Sequence, residues 1–567
     1  MSLLLTRRSV LRASLALPAV GLLAACGGGS DKTSTTAAES TGAGASGTTA
    51  AEGTPTPIQS SGSAPTAASS AATPEGSPTA SGPVADVDFT IVDGPEPNSL
   101  DPCVGTAYQY AVNAMFNRLV IWNEKMNVEP SLATSWSVSD DHKSWTFKLR
   151  ENVKFHDGSP FTSADVKATI DHILDPNTKS NRRANFTLIK EVQTPDDLTA
   201  IFVTDPVTPD FPFLMADGSA NIICSAALQK MGPADYGRKP VGTGPFKFEE
   251  WVPNDHISAT INEDYWGTKP LVKRFVYKPV PDPATRVIVL KSNQADLVFG
   301  LPPADVPDLQ KESKLKIVDS PSLTVTQMQL KQAKPPFSDK RVRQAVNMAV
   351  DKDAIIKNVM GGFARPLKTP DCPGLWGAFE FDPLPYDPEK AKQLLSEAGF
   401  AGGFDVTISY TSGRWPGDDQ VVQAVQGYWG QVGIKATIKK GDQATFIADL
   451  TKDPATNPNL VVMPQRTSYY TDYQLYRLYQ SDAANAEAAQ RSGYNNPEVD
   501  KLLAEERMEF DPEKRLPIFE QVQKLIWDDQ PFLYLFSMVN LYGMQNNVSG
   551  FTILPSGDWI PGPITKG

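Results

Sequence analysis

Residues 27–84 decide how much of this chain can fold, because that stretch is almost wholly Gly, Ser, Thr, Ala and Pro with scattered Asp, Glu and Lys. It holds too few apolar side chains to offset the entropy of ordering them. A flexible tether of this composition has a root-mean-square span of roughly 40 Å. The globular part is therefore expected over residues 85–567, enough for two or three domains with real cores. Within the tether, Gly42-Ala43-Gly44-Ala45-Ser46-Gly47 matches a dinucleotide-binding glycine pattern in letters only, since no strand precedes it and no helix follows.

Ahead of the tether, residues 1–26 read as a signal peptide. Arg7 and Arg8, followed by Ser9-Val10-Leu11-Arg12, have the form of a twin-arginine export signal. Ala13 to Leu23 is apolar but too short to remain as a membrane span. Leu23-Ala24-Ala25-Cys26 has the order of a lipobox, which makes Cys26 the expected lipidation point. Losing the signal removes three arginines, so a net charge of −12 becomes −15. Such an acidic chain argues against nucleic acid and against broad adhesion to anionic lipid, leaving the acyl anchor as the membrane contact. Cys103, Cys224 and Cys372 remain, an odd set that allows at most one disulfide, and the sequence does not choose the pair.

Helix starts are legible through their caps. Asp387-Pro388-Glu389, Asn496-Pro497-Glu498 and Asp511-Pro512-Glu513 each set a capping oxygen before a proline at the first helical position. Thr162 and Asp165 have capping-box spacing ahead of Val166, Ile170, Ile173 and Leu174. Gly399 is expected to end the helix carrying Ala391, Leu394, Leu395 and Ala398. Strands are expected where Trp145, Phe147 and Leu149 alternate with polar residues, where Ile434, Ala436 and Ile438 do the same, and along the apolar run Phe532–Phe536. Helices alternating with strands predict an α/β class with mixed sheets.

Chemistry is sparse. The histidines, His142, His156, His172 and His256, show no pair at the spacing that puts two ligands on one helical face. No nucleophile elbow, phosphate loop or paired-cysteine motif is present, so no catalytic residue, metal site or cofactor is expected. With 65 acidic residues, an acid/base pair for a secreted hydrolase is always available, yet spacing nominates no two. Aromatics beside cations are more suggestive: Arg414-Trp415, and Arg466 with Tyr469, Tyr470, Tyr473, Tyr476 and Tyr479. Such groups suit a small-molecule pocket, although core packing is the competing reading, above all for the later tyrosines.

Read in order, a succession of segments resembles the solute-binding protein family 5 of ABC importers. These are Asn98-Ser99-Leu100-Asp101-Pro102, Asn117-Arg118-Leu119-Val120, Glu129 to Trp136, Trp145 to Arg150, Val153 to Gly158 and Phe161 to Val166. Further on come Pro240-Val241-Gly242-Thr243-Gly244-Pro245-Phe246, read as a turn whose glycines take unusual backbone angles, then Phe337 to Val346 and Tyr494 to Asp500. The resemblance implies a two-lobed periplasmic-binding-protein fold (type II, cluster C), with a lobe of residues 85–128, 236–328 and 541–567, an extra subdomain at 129–235, and a second lobe at 329–540. It implies capture of a peptide or other small polar solute by hinge closure, and delivery to a permease pair and ATPase subunits. The protein is expected to act as a monomer, lipid-anchored on the outer face of the cytoplasmic membrane. A sensor or chaperone of the same fold is the alternative.

One segment departs from the peptide-binding pattern Trp-x-Ala-Asp-Tyr-x-Asp-Pro, whose first aspartate pairs with a peptide ammonium in those relatives. The ungapped register sets Arg466 at the Trp, Tyr469 at that Asp, Tyr470 at the Tyr and Asp472 at the second Asp, so the amine anchor is missing unless a shifted register makes Asp472 the anchor. An unpaired ammonium in a closed cleft is costly, so an acidic or neutral group is expected there. Tyr108, Tyr110 and Asn113 are the candidates for one side of the cleft, and Arg365, Tyr410, Arg414 and Trp415 for the other.

Overall fold

The computed structural model describes residues 83–567 except 95, 105–109, 413–416, 468–469, 482–490, 561 and 563. The signal, the lipobox cysteine and nearly all of the tether lie outside the described residues. The proline-led helices form as Pro388–Glu397, Pro497–Glu506 and Pro512–Asp529. Asp387 accepts the Lys390 N–H at 2.8 Å, Asn496 accepts those of Glu498 and Val499, and Asp511 accepts that of Glu513 at 3.0 Å. Each cap satisfies a backbone donor that the helix leaves orphaned. Asp165 accepts the Thr162 N–H at 3.0 Å at the head of helix Ser163–Leu174.

A twelve-stranded mixed sheet runs through the molecule, and two long strands make it continuous. Leu315–Leu330 and Phe532–Gln545 pair antiparallel over most of their length. Toward one end Phe532–Gln545 also pairs with Leu297–Phe299, which lies beside Ala85–Asp93, Val272–Pro279, His256–Ile261 and Phe246–Val252. Toward the other end Leu315–Leu330 pairs with Leu460–Val462, followed by Asp405–Thr411 and Lys435–Gly441. Between the two zones the register shifts twice, at Pro321/Val325 and Thr326/Gln327. The expected boundaries 328/329 and 540/541 both fall inside these strands.

A separate antiparallel sheet is built from Ala133–Val138, Ser144–Leu149, Thr199–Thr204 and Ile189–Asp196. Trp145, Phe147 and Leu149 turn inward, as their alternation requires. They belong to a large apolar cluster that continues through Phe211 and Phe213 to Leu475, Phe519 and Trp527. A second cluster packs Val346, Ile408, Trp429 and Leu535 around the parallel trio of strands. No described helix is long and apolar enough to cross a membrane.

The glycine-rich turn corrects one sequence expectation. Gly242 and Gly244 do not take positive φ; they are glycine because a Cβ at either would collide with the backbone of Met115. Gly244 donates its N–H to the Met115 carbonyl at 2.9 Å. His156 clamps the same turn, its Nδ1 accepting the Gly242 N–H at 3.2 Å and its Nε2 lying 3.0 Å from the Gly244 carbonyl. Both contacts are made by the neutral ring with its proton on Nε2. None of Cys103, Cys224 and Cys372, all buried, is in a disulfide.

Burial pushes His156 down to about 4 from an ordinary 6.5. Above pH 6.5 the ring is neutral in both folded and unfolded chains. Between pH 6.5 and 4 the unfolded chain takes up a proton that the folded chain refuses, so stability falls by up to about 3 kcal/mol over that window. Urea unfolding of wild type and His156→Gln across it should show the wild-type advantage shrinking by that order. An advantage independent of pH would contradict the assigned clamp.

Candidate functional site

In open α/β sheets ligands gather beyond the carboxyl ends of the parallel strands. Here those ends feed residues 94–113 after Ala85–Asp93, residues 412–419 after Asp405–Thr411, and residues 463–472 after Leu460–Val462. Most of the sequence candidates lie on these connections.

On the first connection, helix Tyr110–Met115 opens with Tyr110, whose ring stacks on Phe299 at 4.2 Å and 9°. One turn on, Asn113 donates to the Asp558 carboxylate at 3.0 Å and accepts from Arg118 Nη2 at 2.9 Å. Arg118 also donates to Asp558 at 3.1 Å and to the Ala216 carbonyl at 2.7 Å. This buried Asn–Arg–Asp group ties residues near the chain end to the helix. Nothing in the sequence signals Asp558 as the partner of Arg118, because 440 positions separate them.

On the other side, the short strand Gln465–Thr467 pairs with Thr324–Thr326, and Thr467 and Thr324 join their hydroxyls at 2.8 Å. Arg466 sits in this strand opposite Val325. Helix Thr471–Tyr479 follows, with Tyr470 ahead of it packed near Phe213 at 6.2 Å and Tyr473 at 5.5 Å. The helix buries Leu475, Leu478 and Tyr479, while Tyr473 and Tyr476 stay half-exposed beside Arg477 and Arg507. Core packing is thus the role of Tyr479 and not of the two tyrosines before it.

Asp472 is committed elsewhere. Both of its oxygens accept from Arg507, at 2.7 and 3.0 Å, and the carboxylate is almost fully buried. Burial is the largest influence and opposes its ionisation, yet Arg507, a hydrogen bond from Glu506 and the charge of Arg515 together outweigh it and hold the carboxyl below the usual range. Nearby, Arg515 forks onto Asp210 with two contacts of 2.7 Å and reaches Glu506 at 2.6 Å. Burial first, and the Asp472 carboxylate next, push Glu506 well above the usual range, so it keeps its proton. Two guanidinium ions then face two carboxylates, and the cluster is neutral. With the Phe213–Tyr470 contact, it joins segment 205–215 to the C-terminal helices.

Other candidates are placed apart from these groups. Tyr410 donates to Asp419 at 2.8 Å, where Ser412 and Lys440 also bind, and these partners hold Asp419 at about 2. Arg365 pairs with Asp319 at 2.8 Å, with its side chain 57% exposed. Tyr108, Arg414, Trp415 and Tyr469 lie outside the described residues. What the sequence did not signal is Gln327: it is buried beside the register shift, and neither end of its amide has a hydrogen-bond partner among the described residues. Such a group is normally satisfied, and an enclosed solute is one source of partners.

Comparison with known proteins bears on the whole arrangement. The family described as bacterial extracellular solute-binding proteins, family 5 Middle, matches residues 127–487. The glutathione-binding protein GsiB of Pectobacterium atrosepticum is 29% identical over 474 residues, covering 82% of this chain and 92% of that one. Among solved structures, AgaA of A. tumefaciens R10 in complex with agropinic acid is 29% identical with a TM-score of 0.68, covering 83% of this chain and 96% of that one. DppA of Helicobacter pylori in complex with peptide STSA is 25% identical with a TM-score of 0.70, over the same shares of the two chains.

Removing one member of a buried ion pair leaves the other uncompensated, typically costing about 3–5 kcal/mol. Asp210→Ala is therefore expected to lower unfolding free energy by that amount at pH 7, measured in urea. A cost below about 1 kcal/mol would mean that Glu506 alone suffices for Arg515.

Proposed function

The chain belongs to the bacterial extracellular solute-binding proteins of family 5 and serves as the substrate-binding component of an ABC importer, and from that premise we propose that its solute is acidic or neutral rather than a peptide held by its ammonium. The lobes are assigned as residues 85–128, 236–328 and 541–567, with the subdomain 129–235, against 329–540. The observation that carries capture by closure is the pair of strands Leu315–Leu330 and Phe532–Gln545, which pass from one half to the other and break register midway. A paired ribbon with a local irregularity bends where its ladder is weakest. Solute that touches both lobes only when they are shut shifts the population toward the shut form.

The ligand class rests on what the cleft lacks. Asp472 has both oxygens on Arg507, so it has no lone charge to offer an ammonium. The ungapped register offers Arg466 and Tyr469 where peptide binders carry Trp and Asp. Glutathione and agropinic acid, named for two relatives, are the first solutes to try. Gln327 is assigned to the floor of the closed site. Export, a lipid at Cys26 and the tether 27–84 would hold the monomer at the outer face of the cytoplasmic membrane, within reach of a permease pair and its ATPase subunits.

Calorimetry with glutathione, agropinic acid and tri- and tetrapeptides tests the class, and small-angle scattering with and without the tightest binder tests closure. The expected outcome is micromolar or better affinity for an acidic solute, with a smaller radius of gyration on saturation. Submicromolar peptide binding that disappears on N-acetylation would overturn the ligand class. An unchanged radius at saturation would overturn hinge closure.

A further inference from the structure

Asp101, Cys103 and His172 bring a carboxylate, a thiol and an imidazole together, one ligand atom of each lying within 4.8 Å of the others. Local structure aims them. The Asp101 Oδ1 accepts the Cys103 N–H at 2.9 Å, and the Asp101 carbonyl accepts the Val104 N–H at 3.1 Å. One tight turn thus carries both carboxylate and thiol. His172 arrives from the last turn of helix Ser163–Leu174, its Nε2 lying 2.9 Å from Asp101 Oδ2. Its Nδ1 is 3.0 Å from the Thr178 hydroxyl, which fixes the ring plane. Asp101 and Cys103 are each 1% exposed, while the His172 side chain is 12% exposed. Asp101 and His172 form part of the wall of a cavity of about 510 Å³, whose rim also carries Asn98, Ser99 and Thr178.

We propose that Asp101, Cys103 and His172 form a site for a divalent cation of the zinc class, with the fourth coordination position open to that cavity. One nitrogen, one sulfur and one oxygen make a mixed set that suits zinc, whereas magnesium and calcium demand six or more oxygen ligands. Zinc bonds near 2.0–2.1 Å would set tetrahedral nitrogen and oxygen ligands about 3.3 Å apart, so the His172–Asp101 contact has to open by only a few tenths of an ångström. Binding replaces hydrogen bonds with metal bonds in a balanced way. The thiol proton leaves to solvent, and the imidazole proton moves from Nε2 to Nδ1, where the Thr178 oxygen accepts it. Thr178 and the Cys103 N–H then hold two of the ligands from behind, the usual support of a metal site. A purely structural His–Asp contact would need neither the thiol nor the cavity.

The test uses the mature chain stripped with a chelator, dialysed against Zn²⁺ and, separately, Co²⁺, with metal counted by mass spectrometry. One equivalent of zinc should be retained, and the cobalt form should show a thiolate charge-transfer band. Cys103→Ser, which leaves Cys26, Cys224 and Cys372 in place, should abolish the band and weaken binding by at least 10-fold. Thr178→Val, which removes none of the three metal ligands, should weaken it about 10-fold through the ring orientation. That second variant keeps the test decisive if Cys103→Ser fails to fold. Absence of stoichiometric uptake, or uptake unchanged in both variants, would overturn the proposal.

Discussion

The antiparallel pairing of Leu315–Leu330 with Phe532–Gln545 is the constraint on which the rest of this structure depends. Most other strands of the large sheet attach toward one end of this ribbon or the other, while Gln465–Thr467 and Ala364–Pro366 pair beside its break, and residues 532–535 alternate between the two apolar clusters. A ribbon can hold two bodies together and still flex because backbone hydrogen bonds resist sliding far more than twisting. Sliding by one residue would send Met328 and Leu330 out of their core and bring polar neighbours in, so register is strongly enforced at both ends. In the middle, where Pro321 removes a donor and the register shifts, enforcement is weakest.

Charge completes what the ribbon begins. A lone buried Arg515 would be untenable, and so would a lone Asp210; each is tolerable because the other meets it with a bidentate fork. Three carboxyls against two guanidinium groups would leave one negative charge in a dry place. Protonating Glu506 removes it. The cluster is therefore specific in geometry and carries no net charge, which suits a contact between segments far apart in the sequence.

Much of the scaffold was legible because its signals are local. Aspartate or asparagine before proline announces a helix within four residues, and Trp145, Phe147 and Leu149 announce a strand face within five. The ordered run of family motifs carried the two-lobed architecture. What stayed hidden is long-range: Arg118 with Asp558, Arg515 with Asp210, Asp101 with His172. No period or spacing links residues that meet only after the chain has crossed between elements. Even Gly242 and Gly244, rightly picked out, had a different cause, since closeness to Met115 excludes a side chain whatever the backbone angle. The histidines were judged by helical spacing, and that criterion cannot see His172 meeting a carboxylate and a thiol 71 and 69 positions earlier in the chain.

Ligand class follows from the same long-range bookkeeping. An ammonium entering beside Asp472 would have to displace Arg507 from a buried two-pronged contact, and stripping a partner from such a pair costs about 3–5 kcal/mol. Its return is one charge-assisted hydrogen bond, worth roughly 1.5–3 kcal/mol. The exchange is unfavourable, so on the proposed reading an amine there would be rejected without any clash. On that reading an acidic group would meet no such penalty, because Arg507 and Arg515 already neutralise Asp472 and Asp210 and leave no net negative charge for it to oppose. Selectivity at this position would then come from a pair that no solute needs to touch.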